Sequence, residues 1–461
     1  MEMKKKHQET QWKNRPYCAR CKKEYDTPFL WCPECNNLLE IKPLHIDHKP
    51  DLKKFWDFTD FFPHFSKKVS LKEGNTSILK IHNIPELRNT LMKLEFRNPT
   101  GSFRDRAAAL LVSDALSRKS SDIITVSTGS FSISISAYAS RAGLKSLNFL
   151  PENLELTKIE QMKIYGSEVH FSGKCIKEAM EAAEKFLQTE TQRNIYVPLP
   201  NQNILTIEGQ KTIGLEIALQ NPEIENIVVP RGSGTLVYSI YKGLLDARES
   251  GWIDQIPHIY SVSLKESADA RLAESLEIND PILLSEVSRI LQETDGKEIA
   301  ISGQKMVEQA LELAKLEGIF IEPASASVLV GIKQLNEQNS LDLSRTITVL
   351  TGSGINAMNL FASQMREVKK ALWGVTATST KKFEILRIIA EGKAHHGYGI
   401  WSMLGKKRSI QSIYQHLSQL EKENLIYNSR PSDKRAQYEL TEKGLQVFRR
   451  MRELMEIKAK K

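Results

Sequence analysis

The stretch IITVSTGSFSISISAYASRAG (123–143) opens with a Val/Ile-rich run and passes directly into Gly, Ser and Thr. The same order recurs downstream in NIVVPRGSG (226–234) and TITVLTGSG (346–354), with further apolar runs at SLNFLP (146–151) and HIYSVSL (258–264). Amphipathic stretches such as RDRAAALLVSDALSRK (104–119) and CIKEAMEAAEKFLQ (175–188) lie between them. This alternation predicts an α/β fold over residues 50–370, with open, largely parallel sheets and helices on both faces. Strands that end in Gly, Ser and Thr place those residues outside the carboxyl edge of a sheet, where open α/β sheets hold their ligands.

Toward the N-terminus, residues 1–16 are polar and read as an unstructured lead. Residues 17–45 carry four of the five cysteines, Cys18, Cys21, Cys32 and Cys35, spaced C-x2-C-x10-C-x2-C. Two such pairs present four thiolates from two tight turns, the arrangement of a structural zinc ribbon. The lead lacks the apolar stretch of a secretion signal, so a cytoplasmic location with reduced thiols is expected. No run of about 18 apolar residues occurs, so no membrane span is expected. Cys175 stands alone and reads as a bystander thiol.

Toward the C-terminus, the α/β rhythm gives way at a polar linker (371–379), and residues 380–461 form a mainly helical segment. Thr376–Lys461 contains 18 Lys/Arg against 9 Asp/Glu, which leaves 46 basic and 47 acidic residues for the remainder. A neutral body with a basic tail points to a polyanion that meets the tail alone. In SIQSIYQHLSQLEKENL, Ile410, Ile413, Leu417 and Leu420 form an apolar stripe. Ser409, Gln411, Ser412, Gln415 and His416 lie on the opposite face, within reach of base edges or phosphates. Ser409 suits an N-cap. A hairpin follows, whose tip carries Arg430, Lys434 and Arg435 for phosphate contacts. The final helix has dimer-like apolar spacing, so a homodimer on double-stranded DNA is expected. His395 and His396 are expected to face solvent rather than a metal.

The body also resembles a known family. VSLKEGNTS (69–77), KLEFRNPTGSFRDRAAA (93–109), STGSFSISISAYASRAG (127–143), EGQKTIGLEI (208–217), PRGSGTLVYSIYKG (230–243), EGIFIEPASASVLVGI (317–332) and TVLTGSG (348–354) follow one another as in threonine synthase. The resemblance runs from about residue 17 to 365 and implies the fold-type II pyridoxal-phosphate architecture of the tryptophan synthase β class. It also implies that Ser130, Gly232, Ser233, Gly234, Thr235 and Thr351 bind the cofactor. Thr100, Ser102, Arg104, Ser127 and Thr128 would bind a small phosphorylated amino-acid or pyridoxal-type ligand.

Within NPTGSFRDR, Arg104 falls where the family carries the lysine that forms an imine with pyridoxal. A guanidinium, with a pKa above about 12, offers essentially no free nitrogen at neutral pH. The expectation is therefore a body without lyase chemistry, with pyridoxal phosphate held non-covalently at most. Thr235 and Leu236 replace the family's Gly and Asn, Ser130 replaces an Asn, and Ile355, Asn356 and Ala357 close the last motif in place of hydrophobe-Lys-Asp. Residues 380–450 resemble a winged helix-turn-helix of the PadR or MarR type. Together these imply a ligand-responsive transcriptional regulator. The alternatives are a working threonine synthase or related lyase with a regulatory tail, and an interaction protein that binds no DNA.

Overall fold

A computed structural model describes residues 11–127, 129–152, 156–199, 201–265, 272–276, 278, 281–339, 341–363, 379–405, 409–430 and 436–449. The chain divides into two compact units, Met1–Met358 and Asn359–Lys461.

The first unit begins with a small antiparallel ribbon, β1 (Tyr17–Cys18) and β2 (Lys23–Glu24). An antiparallel pair follows, β3 (Ile78–Lys80) and β4 (Leu91–Lys93), then α1 (Arg104–Ser117). Next come β5 (Asp122–Val126), α2 (Ser130–Ala142), β6 (Lys145–Leu150), α3 (Leu156–Ile164), β7 (Glu168–Phe171), α4 (Ile176–Thr189) and β8 (Ile195–Tyr196). The unit continues through α5 (Leu205–Gln210), α6 (Thr212–Gln220), β9 (Asn226–Pro230), α7 (Thr235–Glu249), β10 (His258–Leu264) and α8 (Leu284–Glu293). It closes with β11 (Glu298–Ile301), α9 (Gly303–Glu317), α10 (Pro323–Asn339) and β12 (Thr346–Val349).

The strands form two sheets. One has six strands in the order β11-β10-β9-β12-β4-β3 and the other four in the order β7-β6-β5-β8. Every neighbouring pair is parallel except β3 and β4. The expected parallel α/β architecture is therefore present, with one antiparallel edge. The strands match their burial: Ile227, Val228 and Val229 of β9 and Ile347 and Val349 of β12 are inaccessible to solvent, as strands covered on both faces require. α1 is buried nearly all round because its Ala107-Ala108-Ala109 run lets α2 and α5 pack closely against it.

The N-terminal ribbon shares the core of the body. Leu30, Leu39 and Ile41 are buried in one cluster with Phe55, Phe58 and Val237, and Phe61 meets Trp252 edge-on at 5.5 Å.

The second unit contains α11 (Ser379–Ala390), α12 (Gly397–Met403) and α13 (Ile410–Lys422), then the antiparallel pair β13 (Ile426–Asn428) and β14 (Tyr438–Leu440). Residues 442–449 are helical. Its core is separate and consists of Phe383, Leu386, Ile389, Ile400, Ile413, Leu417, Leu420, Ile426, Tyr438 and Phe448, among others. Among the described residues, no helix is long and apolar enough to cross a membrane.

Candidate functional site

Because β4, β12 and β9 are adjacent and parallel, the loops that leave them lie side by side at one edge of the six-stranded sheet. The loop after β4 is stitched to the loop after β12. Phe96 N–H donates to the Leu350 carbonyl (2.9 Å), Phe103 N–H to Thr351 (3.1 Å) and Ser353 N–H to Gly101 (2.9 Å). Ser102 and Gly352 form an antiparallel bridge. On the other side of the same segment, Ile321 bridges Ser353 and Glu322 N–H donates to the Gly352 carbonyl at 3.1 Å. Arg104, the first residue of α1, thus stands at the carboxyl edge of the sheet.

Arg104 is only partly accessible, and its guanidinium lies 4.6 Å from the centre of the Phe103 ring, a distance that suits cation–π attraction. Desolvation draws its pKa down to about 10, opposed by the charge of Glu322. The group remains a cation at neutral pH. Its neighbour Asp105 is fully buried and accepts from the Thr100 N–H (2.7 Å) and hydroxyl (2.6 Å). Burial raises the Asp105 carboxyl to about 6, although those bonds favour the charged form. The Thr100 hydroxyl also meets Ser134 of α2 at 3.1 Å, which ties the α2 N-terminus to the same loop.

The turn from β9 into α7 forms a second half of the site. Gly234, the N-cap of α7, has φ +92°, a conformation that only glycine adopts without strain. A Cβ on Gly232 would lie 2.5 Å from the Ser275 carbonyl, so this glycine also has a packing reason. The backbone N–H groups of the first turn of α7 have no intrahelical acceptors; that of Thr235 donates to the Ser233 hydroxyl at 3.5 Å, and Gly232 and Ser233 are partly exposed.

Buried lysines in the body are committed elsewhere. Lys93 Nζ donates to Glu216 (2.6 Å), the Thr76 carbonyl (2.7 Å) and Gln220 (2.8 Å). Arg106 completes this network with bonds of 2.7 Å to Glu95 and to Glu216. Burial would raise Glu216, but Arg106 and Lys93 hold it down at about 2. Lys211 lies between Glu208 (2.5 Å) and Asp246 (2.8 Å), and Lys242 donates to the Ile41 carbonyl.

In the ribbon, the Sγ atoms of Cys18, Cys21, Cys32 and Cys35 all lie within 4.8 Å of one another. The Cys18–Cys35 and Cys21–Cys32 separations are 3.6 and 3.8 Å. Four thiolates about 2.3 Å from a tetrahedral zinc stand about 3.8 Å apart, so the donor set fits that ion. The ribbon is fixed to α7 and the residue after it: Leu44 N–H donates to Asp246 (3.0 Å), Ile46 N–H to the Ser250 hydroxyl (3.0 Å), and His45 Nδ1 meets the Glu249 carbonyl at 2.7 Å.

In the second unit, Ser409 caps α13 by accepting from the Ser412 N–H at 3.4 Å. Gln411 and Gln415 are exposed and Ser412 is half-exposed. His416 departs from its expected place on the polar face. It is buried beside Leu417, since it follows Ile413 by three positions and turns with the apolar stripe. His396 caps α12 by accepting from Gly399 N–H at 2.8 Å, and His395 Nδ1 meets the Tyr438 carbonyl at 3.2 Å, so both have structural partners instead of facing only solvent. Arg430 is exposed. Lys434, Arg435 and Thr128 lie outside the described residues.

The structure therefore brings together Arg104, Ser102 and Thr351, with Gly232, Ser233, Gly234 and Thr235 on the next loop but one along the sheet. The Thr100 hydroxyl is engaged within the protein, donating to Asp105 at 2.6 Å. Ser102 is buried and accepts from the Arg104 N–H at 3.3 Å. Ser127 and Ser130 are half-exposed at the start of α2. Sequence reasoning missed Glu322, half-exposed beside Gly352. Its signal was present in EPASAS, as a carboxylate directly before a proline that starts a helix.

A family profile described as "Pyridoxal-phosphate dependent enzyme" matches residues 69–352. A protein named threonine synthase from Methanocaldococcus jannaschii is 29% identical over 375 residues, covering 73% of this chain and 92% of that protein. A threonine synthase from Bacillus sp. is 30% identical over 306 residues, covering 62% and 84%. Among solved structures, cysteine synthase from Entamoeba histolytica superposes with a TM-score of 0.54 at 19% identity, covering 62% of this chain and 87% of that one. A hydrogen sulfide-producing enzyme from Fusobacterium nucleatum gives 0.51 at 18%, covering 62% and 95%. These two likenesses concern the fold.

Proposed function

This chain belongs to the pyridoxal-phosphate dependent enzyme family, and we propose that its body is a threonine synthase-like site that binds a phosphorylated ligand without covalent capture. The ligand class is pyridoxal phosphate itself or a phosphorylated amino acid. The residues present fit one end of the cofactor. The α7 N-terminus, entered through Gly232, Ser233 and Gly234, suits a phosphate. They do not fit the other end. Arg104 occupies the head of α1, and Lys93, Lys211 and Lys242 are buried in bonds of their own.

The observation that carries this reading is Arg104, a fixed cation at the carboxyl edge of the sheet. Its correspondence with the family lysine rests on the motif NPTGSFRDR. The test is borohydride reduction in the presence of pyridoxal phosphate: wild-type protein is expected to trap no adduct in the body. Arg104→Lys is expected to gain one, with visible absorbance. An adduct on the wild-type body would return the chain to catalysis.

The names of the relatives favour a second reading, a pyridoxal-phosphate dependent threonine synthase or related amino-acid lyase with a regulatory tail. Sustained release of threonine from O-phospho-L-homoserine by pure wild-type protein would establish it.

For the remaining parts, we infer a structural zinc in the ribbon and a winged helix in the second unit that binds double-stranded DNA as a homodimer. The exposed polar face of α13 and 18 Lys/Arg against 9 Asp/Glu in Thr376–Lys461 support the latter. The joint reading is a ligand-responsive regulator. A mobility shift on the upstream region of its own gene should weaken steeply with salt and respond to O-phospho-L-homoserine. Absent or salt-insensitive binding would leave an interaction module.

A further inference from the structure

We propose that the second unit reads an operator whose core is made of A·T pairs, through an uncharged crest on α13 formed by Gln411, Gln415 and Ser418. The proposal deepens the reading of this unit as a binder of duplex DNA and rests on it. The crest follows from helical geometry. Ile413, Leu417 and Leu420 turn one side of α13 into the core of the unit. At about 100° per residue, Gln411, Gln415 and Ser418 come up on the side away from it, and all three are exposed. From Ser409 to Gln419 the chain has no Lys, Arg, Asp or Glu, although Thr376–Lys461 holds 18 Lys/Arg. The nearest cations stand outside this stretch in sequence, Lys406, Lys407 and Arg408 before it and Lys422 after it. That division suits phosphate contacts at the ends and base contacts between them.

The chemistry of the crest selects the base pair. Guanine is read by the charged donors of Arg or Lys, and cytosine by the carboxylates of Glu or Asp. The crest has none of these. A glutamine amide carries a donor and an acceptor side by side, which match N7 and the N6 amino group of adenine. Gln411 and Gln415 are four residues apart, a rise of about 6 Å, close to two base-pair steps of roughly 3.4 Å. Tyr414 lies between them in sequence and is 45% exposed. A Cβ on Gly397, the first residue of α12, would stand 2.5 Å from its ring, so the glycine makes room for it there. Beside the crest, that ring offers an apolar contact to a thymine methyl group.

Selection of duplexes from a random-sequence pool by the full-length protein tests this. The enriched sequences should share a core of A·T pairs. In a selected duplex, 7-deazaadenine in place of adenine removes N7, leaves the minor groove unaltered and should weaken binding about tenfold. Gln415→Ala should weaken binding to the same duplex by a similar factor, with the circular dichroism of wild type as evidence of its fold. Gln415→Arg should move the preference at one position from A·T to G·C, a gain that a damaged fold cannot produce. A G·C core overturns the proposal and leaves the unit a DNA binder, as does binding without sequence preference. An A·T core indifferent to either 7-deazaadenine or Gln415→Ala also overturns it, because such a core is not read by these amides. Failure to bind any duplex at low salt sinks this proposal and the DNA reading together.

Discussion

Asp105 accepts two short hydrogen bonds from Thr100 and still has its carboxyl raised to about 6 from 3.8, because burial outweighs those bonds. A folded-state pKa above the unfolded value means that this residue's stabilising contribution is complete below about 3.8 and is lost as pH rises through about 6. Asp105→Asn has no such dependence. Its melting temperature relative to wild type should therefore shift in the variant's favour between pH 5 and pH 8, whatever the fixed cost of losing an acceptor. A difference that stays flat with pH would mean that Asp105 remains ionised throughout. Arg104 presents the opposite case, since a pKa of about 10 leaves it charged across that whole range. Its type was legible in the sequence, whereas its companion Glu322 was not. Nothing in a linear chain places residue 322 beside residue 352 until two loops are laid edge to edge.

The strands and helices of the body were the most legible elements, since Val/Ile runs and amphipathic stretches obey the periods of 2 and 3.6. His258–Leu264 coincides with the run read as a strand, and the stretch read from 104 became Arg104–Ser117. The ionic core was illegible. Lys93, Glu95, Arg106 and Glu216 come from four segments and are fully buried together, while a charge in sequence ordinarily signals surface. Glu216→Gln leaves Lys93 and Arg106 undercompensated and should cost about 3–5 kcal/mol in denaturant unfolding. A cost below 1 kcal/mol would indicate that the network relaxes or admits water. In the second unit, Ser409→Ala removes the acceptor for the Ser412 N–H and should cost ~1 kcal/mol. His416 shows the limit of face assignment, because a residue at the border of an apolar stripe is turned inward or outward by its neighbours' packing.

At the scale of the whole molecule, the ribbon is part of the body's own core, so metal and fold should be linked. Cys32→Ser is expected to lower bound zinc from one equivalent to well below it, measured by atomic absorption, and to lower the melting transition of the body. Unchanged metal content would exclude the four-cysteine site. The ribbon's anchors have a further consequence for how the chain is made. Leu44 and Ile46 find their partners at Asp246 and Ser250, about 200 residues later. At roughly 5–20 residues per second, a ribosome needs on the order of 10–40 s to deliver that docking surface. Throughout that interval the thiols have only partners within the ribbon itself, such as the Tyr25 hydroxyl 3.1 Å from Cys32, so early capture of an ion by the nascent chain would shield them from oxidation until their berth emerges.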